Sequence, residues 1–260
     1  MKFPEDFINK IHLETPGKFE YLKLLPNNCI DLTVTSPPYD NLRIYKSKKF
    51  LKFNFKELAN ELYRVTKDGG VVVWIVGDAT IKGSKTGTSF KQALYFKEIG
   101  FNLHDTMIFY KINPMPHIKK TCYTPSFEYM FILSKGKPNT TNLIKENCKY
   151  AGKVLKTYTT NPESIRKPNY NKITKPTKIK HNVWGIKLFG TNYGHPAIFP
   201  EQLANDHIIT WSNKNDIVLD PMCGSGTTLK MAKKNNRNFI GMEIYQEYID
   251  IATKRLNGKI

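Results

Sequence analysis

The chain has 260 residues, 40% of them hydrophobic, which suffices for one sizeable core or for one core with a small appended module. Lys and Arg number 40 against 22 acidic residues, and a net charge of +18 makes nucleic acid the default partner, since each neutralised phosphate releases counterions; the competing reading is lysines that only solubilise. No run approaches roughly 18 apolar residues, the N-terminus Met1-Lys2-Phe3-Pro4 lacks a secretory segment, and Cys29, Cys122, Cys148 and Cys223 form no CxxC pair or metal-ligand spacing. A membrane partner, a disulfide framework and a metal site are therefore not expected, and the cytosol is the expected location.

The first predicted strand is Ile30 to Thr35, and Ser36-Pro37-Pro38-Tyr39 follows it directly. Two consecutive prolines fix the backbone and remove two N–H donors, leaving carbonyls that only accept. Ser36 and the Pro37 carbonyl can together accept both hydrogens of an NH2 group, with Tyr39 offering a flat face for a base. The rival reading is a plain Pro-Pro turn with Tyr39 in the core. Lys46-Ser47-Lys48-Lys49 reads as a substrate loop or as a solvated face.

Apolar spacing predicts a helix over Phe55 to Val65, broken by Asp68-Gly69-Gly70 before a β-branched strand, Val71 to Val76. Together with the first strand this is a βαβ unit. Asp78, at the end of that strand, lines the substrate side or caps the chain. A helix over Phe90 to Ile99, ended by Gly100, leads to strands near Asp105 to Tyr110 and Tyr129 to Leu133.

From Ser134 to Asn182 eleven Lys and one Arg face only Glu146 and Glu163, a net +10, with Tyr150, Tyr158 and Tyr170 interleaved and no period of 2 or 3.6. This stretch reads as an insertion, and its rival reading is a disordered lysine-rich loop. Lys167, Lys172, Lys175 and Lys178 are its candidate phosphate contacts, and Arg166 reaches toward base edges.

Beyond the insertion come a helix over Pro200 to Thr210, strand Ile217 to Leu219, a glycine-bearing loop, helix Thr227 to Asn235, strand Asn238 to Met242 and helix Gln246 to Leu256. Both flanks make one doubly wound α/β domain. In Asp220-Pro221-Met222-Cys223-Gly224-Ser225-Gly226-Thr227-Thr228, glycines admit a ligand close to the backbone and the helix start offers unpaired N–H groups. Glu243, ending the next strand, stands where a carboxylate accepts ribose hydroxyls in Rossmann-like units. No Lys follows Gly226, which excludes a GxxxxGK[ST] phosphate loop; a purely structural turn remains the rival.

Ser36-Pro37-Pro38-Tyr39 together with Asp220 to Thr228 resembles the catalytic and cofactor motifs of the amino-methylating DNA methyltransferases. With the catalytic motif first, the cofactor motif last and an insertion between, the order resembles that of their permuted β class. Glu61-Leu62-Tyr63-Arg64-Val65, Ser126-Phe127-Glu128-Tyr129 and His195-Pro196-Ala197-Ile198-Phe199-Pro200 fit the same pattern, whereas Met222 and Cys223 depart from it in the cofactor loop. The resemblance covers roughly residues 25 to 135 and 183 to 257.

It implies a Rossmann-like methyltransferase sheet with residues 1–133 as catalytic half, 134–182 as target-recognition insert and 183–260 as cofactor half. It further implies S-adenosylmethionine bound by Asp220, Pro221, Cys223, Gly224, Gly226, Thr227, Thr228 and Glu243, with a flipped base held by Ser36, Pro37, Pro38 and Tyr39. Duplex DNA is the implied partner, a restriction-modification system the context, and a cognate endonuclease and a homodimer stay open. In the family Ser at the first motif position accompanies cytosine N4 methylation, and Asp or Asn accompanies adenine N6 methylation. Transfer to adenine, an RNA base methyltransferase and a catalytically silent DNA-binding module are the alternatives. Methylation at cytosine C5 is excluded, because no Pro-Cys dipeptide supplies its nucleophile. His195 reads as structural rather than as a base.

Overall fold

The computed structural model describes residues 2–38, 53–116, 122–160, 166–188 and 200–259, without the side chains of 155–160 and 166–172. In chain order its elements are β1 (Lys10–Leu13), α1 (Glu20–Leu24), β2 (Ile30–Thr35), α2 (Phe55–Val65), β3 (Thr66–Val76), β4 (Thr80–Ile81), β5 (Ser84–Lys85), α3 (Thr88–Glu98), β6 (Asn102–Lys111) and β7 (Phe127–Ser134). There follow β8 (Lys145–Asn147), β9 (Val154–Thr160), β10 (Arg166–Ile173), β11 (Thr177–Ile179), β12 (Val183–Ile186), α4 (Glu201–Trp211), β13 (Ile217–Asp220), α5 (Thr227–Lys234), β14 (Asn238–Glu243) and α6 (Gln246–Leu256).

By contact density the chain divides into two compact units, residues 1–142 with 182–260, and residues 143–181. The larger unit holds an eight-stranded sheet ordered β1-β14-β13-β2-β3-β7-β6-β12. All neighbours are parallel except β7, which runs antiparallel to β3 and to β6.

Local sequence explains the elements. Asn54 caps α2 by accepting the Glu57 N–H and donating to its carboxylate, and Leu58, Ala59, Leu62 and Val65 give that helix one buried stripe. In β3 every residue from Val71 to Val76 is buried, so both faces of this strand are covered. Val72, Trp74 and Val76 pack in one cluster with Leu22, Leu58, Leu62 and Phe96 from α1, α2 and α3. Ile75, on the other face, lies opposite Met130, whose sulfur meets the buried His207 of α4. Helices on both faces of a largely parallel sheet are the doubly wound arrangement.

The second unit contains two antiparallel pairs, β8 with β11 and β9 with β10. The sequence shows no alternation there because neither face of β8 or β11 is buried, and without a buried face a strand carries no hydrophobic period. This unit begins at Leu143 rather than at Ser134, where the composition changes. Residues 134–142 are tied to the larger unit: Asn139 packs on Gly69 and donates to Asp68 and Gly69 carbonyls, and the Asn142 N–H donates to Thr210. Gly69 has φ +77, and a Cβ there would lie 2.2 Å from the Asn139 side chain.

Candidate active site

In a doubly wound sheet ligands bind beyond the carboxyl ends of the strands, where the direction of winding reverses. Here the reversal falls between β13 and β2, since the chain winds from β2 outward to β3 and from β13 outward to β14. The two motifs picked out in the sequence are the continuations of those two strands.

They are joined directly. Thr35, the last residue of β2, donates its hydroxyl to Asp220 Oδ1, the last residue of β13, at 2.8 Å across 185 residues of sequence. Thr228, in the first turn of α5, donates its hydroxyl to the Val34 carbonyl at 3.1 Å. The Met222 N–H also donates to Asp220 Oδ1. Asp220 is 1% exposed, and burial pushes its carboxyl up to about 6 despite the Thr35 and Met222 hydrogen bonds. It serves as an internal pin between the motifs, and faces no solvent.

Pro37 is buried, while Ser36 and Pro38 are half-buried at the end of β2. Tyr39, the Lys46 to Lys49 run and His195 to Phe199 lie outside the described residues. Asp78 accepts the Ser89 N–H at 2.9 Å and the Ser89 hydroxyl at 2.6 Å, which satisfies a backbone donor in the first turn of α3, whose N-cap is Gly87.

The glycine loop turns from β13 into α5 through Gly226, whose φ of +77 is left-handed. A Cβ there would lie 2.7 Å from Ala252 Cβ, so the absent side chain lets α6 close on the loop. Pro221 and Cys223 are buried in the turn, and burial holds the Cys223 thiol well above its usual range, leaving it unreactive. Thr227 accepts a hydrogen bond from the buried Arg255 of α6.

Glu243 closes β14 at 7% exposure. Its Oε2 accepts the Gly224 N–H at 2.8 Å, and its Oε1 accepts the N–H groups of Ile244 and Tyr245 at 2.8 and 3.1 Å. Burial raises its carboxyl above the usual range against these three donors. A carboxylate has about four acceptor sites, so one is left for a ligand hydroxyl, and a second hydroxyl requires the Gly224 amide to turn away. A cavity of about 360 Å³ starts one residue beyond Glu243, lined by Leu13, Ile244, Tyr245, Gln246, Glu247 and Tyr248. Its size and its largely apolar walls would admit a flat heterocycle beside the strand end that carries Glu243. The residues present thus fit a nucleoside-like group.

In the second unit Lys175 and Lys178 are exposed, and Lys178 pairs with Glu146 at 3.0 Å. Exposed pairs of this kind contribute little, so the lysine is available to a phosphate. Arg166, Lys167 and Lys172 lie on β10, and their side chains fall outside the described residues.

Two residues that tie the site's elements together carried no motif. Thr35 abuts the proline corner, and its interest lies in a partner far along the chain. Arg255 sits with Tyr248, Ile249 and Ala252 on the buried stripe of α6, and an arginine at that spacing is the one signal the sequence offered.

Comparison with known proteins agrees with this geometry. A profile of the DNA methylase family matches residues 30–254. Orphan methyltransferase M.BamHII of Bacillus amyloliquefaciens is 54% identical over 89% of this chain and 90% of its own length. Type II methyltransferase M.BglII of Bacillus subtilis is 29% identical over 99% of this chain and 71% of its own length. Among solved structures, the cytosine-N4-specific PvuII DNA methyltransferase superposes with a TM-score of 0.69 at 20% identity, covering 96% of this chain and 93% of its own. The M1.HpyAVI complex with S-adenosylmethionine gives 0.63 at 24% identity, covering 95% and 100%. With its proline corner pinned to its glycine loop at the winding reversal, the chain belongs to the DNA methylase family and is a DNA methyltransferase of the N6/N4 kind.

Proposed function

We propose that this methyltransferase transfers a methyl group from S-adenosylmethionine to the exocyclic N4 amino group of cytosine in duplex DNA. The observation that carries the reading is the hydrogen bond between Thr35 and Asp220, which sets the amino-accepting corner and the glycine loop on neighbouring strand ends. Glu243, the Gly224-Ser225-Gly226 loop and the cavity past Ile244 hold the donor. When bound, S-adenosylmethionine supplies an electrophilic methyl on a sulfonium.

Tyr39 stacks on the flipped base, and Ser36 with the Pro37 carbonyl takes the two amino hydrogens. The amino lone pair is delocalised into the ring, and two fixed acceptors favour the pyramidal nitrogen and the cationic charge that develops on it. The proton then passes to water, so a strong general base is not required. Orientation carries the rate, because the corner is rigid.

Ser at position 36 favours cytosine, by the family correlation. The unit at 143–181 reads the target, with Lys175 and Lys178 on phosphates and Arg166, Lys167 and Lys172 presented by β10. The name of the B. amyloliquefaciens relative favours a chain acting without its own endonuclease.

Nucleoside analysis by liquid chromatography of plasmid DNA methylated in vitro tests the reading. N4-methylcytosine is expected; N6-methyladenine alone would transfer the assignment to adenine, and methylation of RNA in preference to duplex DNA would overturn the substrate.

A further inference from the structure

The mechanism leaves one buried cation unused. Arg255, near the end of α6, is 2% exposed, and its guanidinium points into the back of the glycine loop. Its Nη1 donates to the Ser225 carbonyl at 2.7 Å and lies 3.0 Å from both the Ser225 and the Thr227 hydroxyls. Its Nη2 donates to Glu201 Oε1 at 2.9 Å, and the same oxygen accepts Lys230 Nζ at 2.8 Å.

These partners belong to different pieces of the cofactor half. Ser225 and Thr227 are the turn and the first helical residue of the glycine loop, whereas Glu201 opens α4 immediately after the His195 to Pro200 segment. A single planar fork therefore reaches the loop with one nitrogen and the start of α4 with the other. Arginine suits the task and lysine does not, because only the guanidinium holds two donors in a fixed angle. Burying a guanidinium this deeply is costly without partners, and here Nη1 is matched to the groups that set the loop's curvature and Nη2 to the Glu201 carboxylate.

We infer that Arg255 is a positioning residue for methyl-donor binding: it holds the Ser225 carbonyl and the Thr227 hydroxyl inward, so that the loop's ligand-facing amides keep their direction, and it fixes that loop to the start of α4. This rests on the reading that the glycine loop binds S-adenosylmethionine. The prediction separates donor affinity from chemistry. Ser225, Thr227 and Glu201 all belong to the cofactor half, so the transfer step and DNA affinity are expected to stay as they are once the donor is bound.

Calorimetric titration of the full chain with S-adenosylmethionine first tests the underlying reading: a wild-type chain that binds none sinks both. Given binding, Arg255→Lys is expected to raise the KM for S-adenosylmethionine by about ten- to a hundredfold while kcat falls less than about threefold, with duplex DNA affinity unmoved. Lys230→Ala, which removes the other partner of Glu201 but nothing at the loop, is the control and should leave the donor KM within about twofold. Should Arg255→Lys melt with the unfolded chain, Arg255→Ala supplemented with guanidinium salt at low millimolar concentration replaces it, and recovery of donor affinity is expected. An Arg255→Lys donor KM no higher than that of Lys230→Ala, a fall in kcat at unchanged KM, or no recovery with guanidinium overturns the inference.

Discussion

At Asp220 the carboxyl is buried, hydrogen-bonded to Thr35, and pushed up to about 6 from an ordinary 3.8. A carboxyl raised on folding favours the protonated native state, so its contribution is complete below about pH 4 and is lost as the pH climbs through 6. At about 1.4 kcal/mol for each tenfold change in proton affinity, the loss approaches about 3 kcal/mol. Asp220→Asn, which keeps an acceptor for Thr35 without the charge, is therefore expected to gain stability relative to the wild type between pH 4 and 7 and to hold a constant advantage above that. Urea denaturation at pH 5, 6 and 7.5 checks it; a difference independent of pH would show that Asp220 stays neutral or stays charged throughout. Tyr39 acts on the other substrate. Stacking on an aromatic ring is worth about 1–3 kcal/mol per base, so Tyr39→Ala should lower kcat/KM for DNA by about ten- to a hundredfold with S-adenosylmethionine affinity intact. Parallel loss of donor affinity in calorimetry would remove Tyr39 from base recognition.

Among the elements, those with a buried stripe were legible in the sequence. Helices Phe55–Val65 and Gln246–Leu256 have the bounds that their apolar spacing predicts, and strand Ile30–Thr35 is as read. The strand ending at Val76 begins already at Thr66, because Thr66 pairs with Ile30 and the Gly69-Gly70 turn is absorbed as an irregularity in the ladder. What stayed hidden is short or lacks a hydrophobic signature: Lys10–Leu13 is four residues of mixed polarity, Val183–Ile186 alternates exposed and buried over only four residues, and the insert's strands β8 and β11 are exposed on both sides. The motifs were legible because glycine and proline are needed for backbone reasons at strand ends, whereas the Thr35–Asp220 and Arg255–Ser225 bonds span distances in sequence that no local pattern records. The insert forms a compact unit by itself, so replacing residues 143–181 with a short Gly-Ser linker is expected to leave S-adenosylmethionine affinity within about threefold and to cut duplex affinity at least about tenfold. Loss of donor binding in that deletion would tie the insert to the cofactor half.

For the molecule as a whole the charge of +18 sets the terms of DNA binding. Contacts to about six phosphates would make duplex affinity fall about a thousandfold between 50 and 200 mM salt, and fluorescence anisotropy across that range measures the slope. A flat salt response would mean that the lysines solubilise the chain and little more. The sheet imposes a second condition. β1 lies at its edge and, among the described residues, pairs with β14 alone, the last strand in chain order. Synthesis proceeds from the N-terminus, so β1 is made long before the strand it pairs with and has no ladder to join until Glu243 has emerged. A nascent chain cut short before Asn238 would thus leave β1 undocked and would lack Glu243 as well, so methyl transfer must wait until β14 has been made.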